Sequence, residues 1–242
     1  MDKDTEIMKE LNQKIYRSGV GKLLHMMKWS HLEISNAVRE LSRFMKMAML
    51  AHMKAMKRVM SYIITTPEQG LLLEPNAKWD RNPEFEFEVS GQLDSDYAKD
   101  PMMRRSVSGY ATFLNGAVVM TKNKMQQSVT LSVTEAELVA ATSCAQDMLF
   151  IMRVLESIGL KVKKPMILKV DSKGTKDLAN NWSVGGRTRH IDIRNYFLRE
   201  HKEQSIIKTK WRSGNDNSSD LFTKNLAGST FERHTKVFCG DN

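Results

Sequence analysis

Four carboxylates stand where predicted strands end or predicted helices begin. Asp94 and Asp171 each follow an apolar or alternating run, at the point where a strand should end. Glu137 lies near the start of a long apolar helix, and Asp220 at the start of a late one. Converging carboxylates repel one another, which raises their pKa, and a divalent cation removes that conflict. Oxygen-only ligands favour Mg²⁺ or Mn²⁺ over zinc, and two such ions could support phosphodiester hydrolysis.

Each of these residues also has a structural explanation. Asp94 could be a turn residue before Pro101, and Asp96 is a near-equal candidate on the same strand face. Glu137 could cap its helix, and the two later aspartates could be helix N-caps. All four carboxylates are nevertheless predicted at one end of one sheet, which favours a shared site, because ligands collect beyond the carboxyl ends of strands in open α/β sheets.

The elements that must position these residues form a mixed sheet crossed by one long helix. Residues 84–89 alternate strictly and run towards Asp94, and Asn115-Gly116 is a tight-turn signal between two apolar runs. Apolar residues three and four apart, behind the capping-box spacing of Ser132 and Glu135, predict a helix over 133–158. Further strands are predicted at 166–170 and 205–211, and further helices at 172–181, 190–203, 217–226 and 229–238.

The first part of the chain is predicted to be helical. Apolar periodicity indicates helices over 5–18, 31–48 and 49–65, with Gly19 and Gly21 interrupting the first. The predicted fold class is therefore α/β: a mixed five-stranded sheet flanked by helices and preceded by a small all-helical segment. The predicted organisation is a helical segment at 1–75, a linker at 76–83, the sheet domain at 84–228, and a C-terminal helix and tail at 229–242.

Composition and charge indicate a globular protein with a polyanionic partner. The 242 residues are 41% hydrophobic and carry a net charge of +9. Residues 1–92 hold 14 Lys+Arg and 12 Asp+Glu, so most of the basic excess lies in the second part. Such an excess favours nucleic acid as the partner. Two cysteines without a CxxC pair indicate a reducing compartment, and no run of 18 apolar residues predicts a membrane partner.

Several ordered motifs closely resemble a known family. The motifs of the second part are Leu93–Tyr97, Arg104–Tyr110, Thr134–Leu138, Lys169–Ser172, Arg187–Arg194 and Asp220–Lys224. They resemble the ribonuclease H domain of copia-type (Pseudoviridae) retrotransposon Pol polyproteins. Those of the first part are Tyr16–Gly21, Ile34–Val38, Leu41–Met45 and Lys54–Met60, and they resemble the end of the copia reverse transcriptase, its thumb and connecting region.

This resemblance implies an endonuclease that cuts the RNA strand of an RNA–DNA hybrid with two Mg²⁺ ions, or with Mn²⁺ in their place, in a cytoplasmic retrotransposon particle. It places the family's acidic positions on Asp94, Glu137, Asp171 and Asp220, and so decides against Asp96. Nucleic-acid contacts are expected at Arg104, Arg105, Arg187, Arg189 and Arg194. For His190 we favour a structural role over a catalytic one.

Three departures and one absence qualify the resemblance. Ser172 stands where the family usually has Asn, His31-Leu-Glu33 where it has Arg-Pro-Asp, and no histidine precedes Asp220. No Tyr-x-Asp-Asp motif is present. The polymerase fingers and palm are therefore expected outside this chain, and no polymerase activity is expected from it.

Two other functions compete with the nuclease. The chain could be a non-catalytic relic that acts at most as a nucleic-acid-binding or assembly module, although the four intact carboxylates argue against decay of the site. It could also be a transposase-like nuclease on the same fold, although the helix-borne Glu137 argues against this. The sequence does not specify an oligomeric state.

Overall fold

The computed structural model describes residues 8–180 and 189–241 and divides the chain into two compact units. We call Leu73–Leu226 the sheet unit, and the residues up to Leu72 together with those from Ala227 onward the helical unit. The sequence placed a linker at 76–83 and a separate tail at 229–242. The contacts instead group the C-terminal residues with the N-terminal helices, because the last strand pairs with residues 69–71.

The helices and strands largely follow the predicted order. In chain order they are α1 (Glu10–Trp29), α2 (Ser35–Ser42), α3 (Leu50–Thr65), β1 (Gln69–Leu71), β2 (Glu86–Phe87), β3 (Val89–Asp96), β4 (Val107–Leu114), β5 (Ala117–Met125), α4 (Val133–Ser157), β6 (Lys161–Val162), β7 (Met166–Val170), α5 (Lys173–Asn180), α6 (Arg189–Glu203), β8 (Ile207–Trp211), α7 (Gly228–Thr235) and β9 (Cys239–Asp241). Short 3₁₀ helices lie at Leu32–Ile34, Gly214–Asp216 and Ser218–Phe222.

The first helix does not stop at its glycines, which corrects the prediction. α1 is continuous through Gly19 and Gly21 and ends at Trp29. A Cβ on Gly19 would overlap Met56 Sδ, so this glycine permits the close approach of α3 rather than a break. The buried Tyr16 hydroxyl donates to the Leu41 carbonyl at 2.7 Å, which ties α1 to the end of α2.

The second predicted helix, 31–48, is also shorter in the structure. It consists of a 3₁₀ turn at Leu32–Ile34 followed by α2, which ends at Ser42. Beyond it the backbone of Ala48 pairs with the buried Gln13 side chain: Gln13 Nε2 donates to the Ala48 carbonyl at 2.8 Å, and the Ala48 amide donates to Gln13 Oε1 at 3.0 Å. This pairing draws residues 43–49 out of the helical path.

The helical unit also contains a buried polar pair at one of the departures from the family pattern. His31 Nδ1 lies 2.8 Å from Glu33 Oε1, and both side chains are buried. Cys239 Sγ donates to Glu33 Oε2 at 3.1 Å, and burial, aided by Glu33, raises the pKa of this thiol. The pair therefore keeps an acid beside a base where the family has Arg and Asp.

The sheet unit is built on a mixed five-stranded sheet, as predicted. The strand order is β5-β4-β3-β7-β8; β3, β4 and β5 are antiparallel, whereas β7 is parallel to both β3 and β8. The hairpin turn at Asn115-Gly116 has φ values of 48° and 87°, as the sequence predicted for an Asn-Gly turn. This topology confirms the predicted α/β class and its mixed five-stranded sheet.

One face of the sheet packs against α4 and α6 to form the core. Gly91 in β3 allows this contact, since a Cβ there would lie 2.6 Å from Cys144 Sγ of α4. Among the described helices, α4 alone is long and apolar enough to cross a bilayer by length and composition, and half of its apolar window is buried inside the protein. The predicted helix at 217–226 is only the 3₁₀ turn Ser218–Phe222, which lies against β3 and β4.

Candidate metal centre

Asp94 lies on the central strand and is 1% exposed. Its neighbour across the antiparallel pair is Gly109, where a Cβ would lie 2.6 Å from Thr223 Cγ2 and 2.7 Å from Phe222 Cβ. The missing side chain therefore lets the segment after the last 3₁₀ turn lie directly on the sheet. As a result, the Thr223 hydroxyl donates to Asp94 Oδ2, and Lys224 Nζ lies 2.9 Å from Asp94 Oδ1.

Glu137 is held by the first turns of α4 and is buried. The Ser132 hydroxyl accepts from the Glu135 amide and so caps the helix as predicted, but Glu135 Oε2 accepts from the Leu131 amide instead of the Ser132 amide, so only half of the predicted capping box forms. Gln126 Nε2 donates to the Ala136 carbonyl and to Ser108 Oγ, both at 2.9 Å. These bonds fix the start of the helix to β4.

Asp171 follows β7 directly, as the sequence predicted. Trp211 Nε1 donates to its carbonyl at 2.9 Å, and Asn217 Nδ2 lies 3.4 Å from its Oδ2. The same Asn217 amide donates to the Leu93 carbonyl at 2.8 Å, so it joins the ends of β3 and β7. Ser172, a departure from the family's Asn, accepts from the Thr175 amide at 3.2 Å and so caps α5 as an Asn could.

The three carboxylates converge. Asp94, Glu137 and Asp171 each offer one oxygen, and these atoms all lie within 4.8 Å of one another. Burial, together with the charges of Asp171 and Asp94, raises the pKa of Glu137 to about 9. Burial also raises the pKa of Asp94, against the opposing effect of Lys224. The arrangement concentrates negative charge in a desolvated place.

Asp220 is linked to this group through a lysine. Lys224 Nζ lies 3.1 Å from Asp220 Oδ1 as well as 2.9 Å from Asp94 Oδ1, so one ammonium bridges the two carboxylates. Burial and then the Asp94 charge raise the pKa of Asp220 to about 7. Burial lowers the pKa of Lys224, but the two aspartates outweigh it and the net shift is upward.

The carboxylate group fits a hard divalent cation. Glu137 Oε2 and Asp171 Oδ1 are buried and accept no hydrogen bond from the described part of the chain. Buried acceptors left in this way are costly unless a cation or donor meets them. The ligand set contains only oxygen, which suits Mg²⁺ or Mn²⁺. Asp94, Glu137 and Asp171 are the residues that would hold such an ion.

The alternative aspartate lies apart from this group. Asp96 is on the same strand, but its Oδ2 lies 2.7 Å from Lys99 Nζ, and its side chain is 24% exposed. It therefore already has a charged partner at the surface. Asp94, not Asp96, contributes to the cluster of three.

The predicted arginines are dispersed. Arg104 and Arg105 lie in the turn between β3 and β4, and Arg104 is exposed with a φ of 53°. Arg194 on α6 lines a different pocket, with Tyr110, Lys122 and Lys124. Arg187 lies outside the described residues, and so do the side chains of Arg189 and His190 at the start of α6.

Sequence reasoning missed three residues of the centre. Asn217, Thr223 and Lys224 contact the carboxylates from positions far along the chain. The spacing of Lys224 four residues after Asp220 was the available signal, because side chains at this spacing meet in helical turns. No local pattern indicated that the same lysine would reach Asp94.

Comparison with known proteins identified relatives by sequence. The chain is 32% identical over 220 residues to a retrovirus-related Pol polyprotein from transposon TNT 1-94 of Nicotiana tabacum, covering 90% of this chain and 16% of that protein. It is 28% identical over 217 residues to the Pol polyprotein from transposon RE1 of Arabidopsis thaliana, covering 90% and 14%. The chain thus spans about a sixth of the length of these relatives.

Two other matches cover less of the chain or are less similar to it. Secreted RxLR effector protein 161 of Plasmopara viticola is 33% identical over 132 residues, which cover 54% of this chain and 87% of that protein. A solved structure of LC11-RNase H1, isolated from compost by a metagenomic approach, aligns with a TM-score of 0.44 at 11% identity, covering 60% of this chain and 96% of that one. No protein-family model matches the chain.

Proposed function

Because the chain belongs to the family of retrovirus-related Pol polyproteins of copia-type transposons, we propose that it is a metal-dependent endonuclease that hydrolyses the RNA strand of RNA–DNA hybrids. One observation supports the chemistry above all others. The buried Asp94 and Glu137 and the half-buried Asp171, from β3, α4 and the residue after β7, bring carboxylate oxygens within 4.8 Å of one another. Carboxylates grouped in this way are costly unless a cation compensates their charge.

The chain's own residues would bind and orient the cation and the scissile phosphate. Asp94, Glu137 and Asp171 would hold Mg²⁺, with Asp220 beside them. When bound, the ion would lower the pKa of a coordinated water and offset the charge that develops on the phosphate oxygens. Thr223 keeps the Asp94 carboxylate in one orientation, and Asn217 does the same for Asp171. The ammonium of Lys224 offsets part of the negative charge at Asp94 and Asp220.

Asp171→Asn is the test of this proposal. The substitution removes one anionic oxygen while keeping the volume of the side chain. Loss of residues that merely support a metal ligand commonly costs roughly 10- to 100-fold in activity, so loss of a ligand should cost more. We expect cleavage of a labelled RNA–DNA hybrid in Mg²⁺ to fall by more than about 100-fold. Thermal melting without metal should show that the fold is kept.

Asp96→Asn is the matched control. It removes the same charge from a half-buried aspartate that already pairs with Lys99, so cleavage should change little. Equal loss in both variants would contradict the assignment of Asp94 and its partners. An unchanged rate in Asp171→Asn would refute the proposed site. Comparable cutting of an all-DNA duplex by the unmodified protein would favour the transposase-like function instead, and binding of hybrid without cleavage would favour the relic.

A further inference from the structure

The outer surface of β7 and β8 is unusually basic. Along these strands the core-facing residues Leu168 and Ile207 are buried, and the alternate positions point to the opposite face. Lys169 pairs with Lys210 in the parallel register, and Ile167 pairs with Lys208. We call Lys169, Lys208, Lys210 and Arg212 the basic face.

Arg212 belongs to this face by its contacts. Its Nη1 donates to Gln92 Oε1 at 2.7 Å, and Gln92 is the register partner of Lys169 on β3. The four cations therefore occupy neighbouring positions on two strands and the residue just beyond them. Lys208 and Lys210 are exposed, whereas Lys169 and Arg212 are half-buried.

The charges of the basic face are only partly compensated by the protein, through Glu88, which lines the same groove. Throughout residues 8–180 and 189–241, none of its lysines forms an ion pair, and the Arg212 partner Gln92 is neutral. Burial, and then the charge of Arg212, lower the pKa of Lys169; Lys210 acts in the same direction, and Glu88 opposes them. Like charges on paired strands destabilise a sheet. The cluster is therefore unfavourable to folding and calls for an anionic partner.

The basic face begins at the candidate metal centre. β7 leads directly into Asp171, and the side chain of Trp211 at the end of β8 donates to the Asp171 carbonyl. The Arg212 amide donates to the Val170 carbonyl at 2.8 Å, so Arg212 sits beside the same strand end. From there the cations continue back along the strands to Lys210 and Lys208, in the direction of Lys163, which lines the same groove.

The spacing of these cations suits a phosphodiester strand. Alternate residues of a strand lie about 6.6 Å apart, and neighbouring strands about 4.8 Å apart. A nucleic-acid strand carries one negative charge on each nucleotide, so its backbone presents a regular row of phosphates that the row Lys208, Lys210 and Arg212 can follow. The continuity of the basic face with the candidate metal centre, where the proposed substrate is a nucleic acid, favours this partner over an acidic peptide.

We infer that the basic face binds the phosphodiester backbone of a nucleic-acid strand that extends away from the candidate metal centre. The inference rests on the proposed function, since it assumes that nucleic acid is engaged at the carboxylates. It adds a binding surface that none of the predicted arginines forms. Contacts to phosphates fix the position of a strand without reading its sequence. The surface would therefore increase affinity for long substrates of any sequence.

The test is the salt dependence of binding by the full chain carrying Lys208→Gln and Lys210→Gln. Binding to a labelled RNA–DNA hybrid of about 20 base pairs is measured by fluorescence anisotropy in EDTA, across a series of salt concentrations. Each lost phosphate contact should reduce the slope of log affinity against log salt by about 0.9. We expect a slope shallower by about 1 to 2 and affinity at low salt reduced several-fold. The melting temperature should be unchanged or higher, because a repulsion is removed.

The matched control carries Lys22→Gln and Lys46→Gln. These lysines are exposed in the helical unit, and the variant loses the same two charges. Its salt slope should equal that of the unmodified protein. An equal change in both variants, or none in the Lys208 and Lys210 variant, would overturn the inference. The inference would also be overturned if polyglutamate bound as tightly as the hybrid and the substitutions weakened both interactions equally. The basic face would then suit an acidic protein segment.

The measurement separates this inference from the proposed function. Binding in EDTA does not require cleavage, and the Asp171→Asn variant should bind hybrid with an unchanged salt slope. If Asp171→Asn still cleaves while the Lys208 and Lys210 variant has a shallower salt slope, the proposed metal centre is refuted and the inference about the basic face is supported. If Asp171→Asn is inactive and the salt slope of the Lys208 and Lys210 variant is unchanged, the proposed metal centre is supported and the inference about the basic face is refuted.

Discussion

Glu137→Gln should stabilise the protein in the absence of metal, and the gain should grow with pH. Burial and the neighbouring aspartates raise the pKa of Glu137 from 4.5 to about 9 in the folded state. Between these values the folded state binds a proton that the unfolded state has released. Stability therefore falls as pH rises through this window, and it falls no further above the folded pKa. The glutamine side chain of the variant cannot ionise, so the variant does not share this loss.

The magnitude follows from the size of the pKa shift. Inside the window the folded state holds nearly one extra proton, so each pH unit costs about 1.4 kcal/mol. From pH 6 to pH 8 the unmodified protein should lose about 3 kcal/mol relative to Glu137→Gln. In a domain of this size that corresponds to a difference in melting temperature of roughly 6–12 °C. Asp220, whose pKa is raised to about 7, contributes in the same direction to both proteins.

The assay is thermal unfolding in EDTA at pH 6, 7 and 8, with Glu135→Gln as the control. Glu135 is half-buried in the same turn of α4, so its replacement should weaken the contact with the Leu131 amide equally at each pH. Excess Mg²⁺ should stabilise the unmodified protein most at high pH and should have less effect on Glu137→Gln. A difference between the two proteins that stays constant from pH 6 to 8 would refute the reasoning. Stability of the unmodified protein that rises with pH would refute it more directly.

Two further predictions concern the lysine bridge and the core. Lys224→Gln removes the ammonium between Asp94 and Asp220 and should reduce the free energy of unfolding by about 1–2 kcal/mol at pH 8 without metal, a value reduced because the lysine is 37% exposed. Mg²⁺ should raise the melting temperature of this variant more than that of the unmodified protein. An equal rise in both would contradict the bridge. Gly91→Ala places a Cβ 2.6 Å from Cys144 Sγ and 2.8 Å from Met148 Sδ. Urea unfolding should therefore show that the free energy of unfolding falls by about 1–3 kcal/mol because of overpacking. The control Gly21→Ala adds a Cβ in open space and should be neutral or stabilising.

The sequence predicted the elements of the sheet unit well because each depends on local patterns. β7 and α4 lie within a residue of their predicted bounds, since a short apolar run and a capped apolar stripe are defined by neighbouring residues. Asp171 could be selected as a strand-end residue for the same reason, whereas Asp94 lies inside β3, which continues to Asp96 and so corrects the prediction that a strand ends at Asp94. Their convergence with Glu137 followed from the topology, which the order of strands and the crossover helix largely determine.

The remaining features depend on contacts between distant parts of the chain. The Thr223 hydroxyl meets Asp94 across more than a hundred residues, and no pattern local to either residue indicates this. Gly19 resembles a helix break in the sequence, and only the approach of Met56 explains why the helix continues. The extra strand β9 was missed because its partner β1 lies near the other end of the chain.

The β1–β9 pair has a consequence for how the chain tolerates change. Its three register pairs, from Gln69 with Asp241 to Leu71 with Cys239, close the entire sheet unit into one long loop. The entropy of closing a loop depends only logarithmically on its length, at roughly 0.6 kcal/mol per doubling. Insertions within surface turns of the sheet unit should therefore barely affect the stability of the β1–β9 pair. Lengthening the chain between Leu71 and the first strand of the sheet unit should cost equally little, so the sheet unit can vary in length while the helical unit stays unchanged.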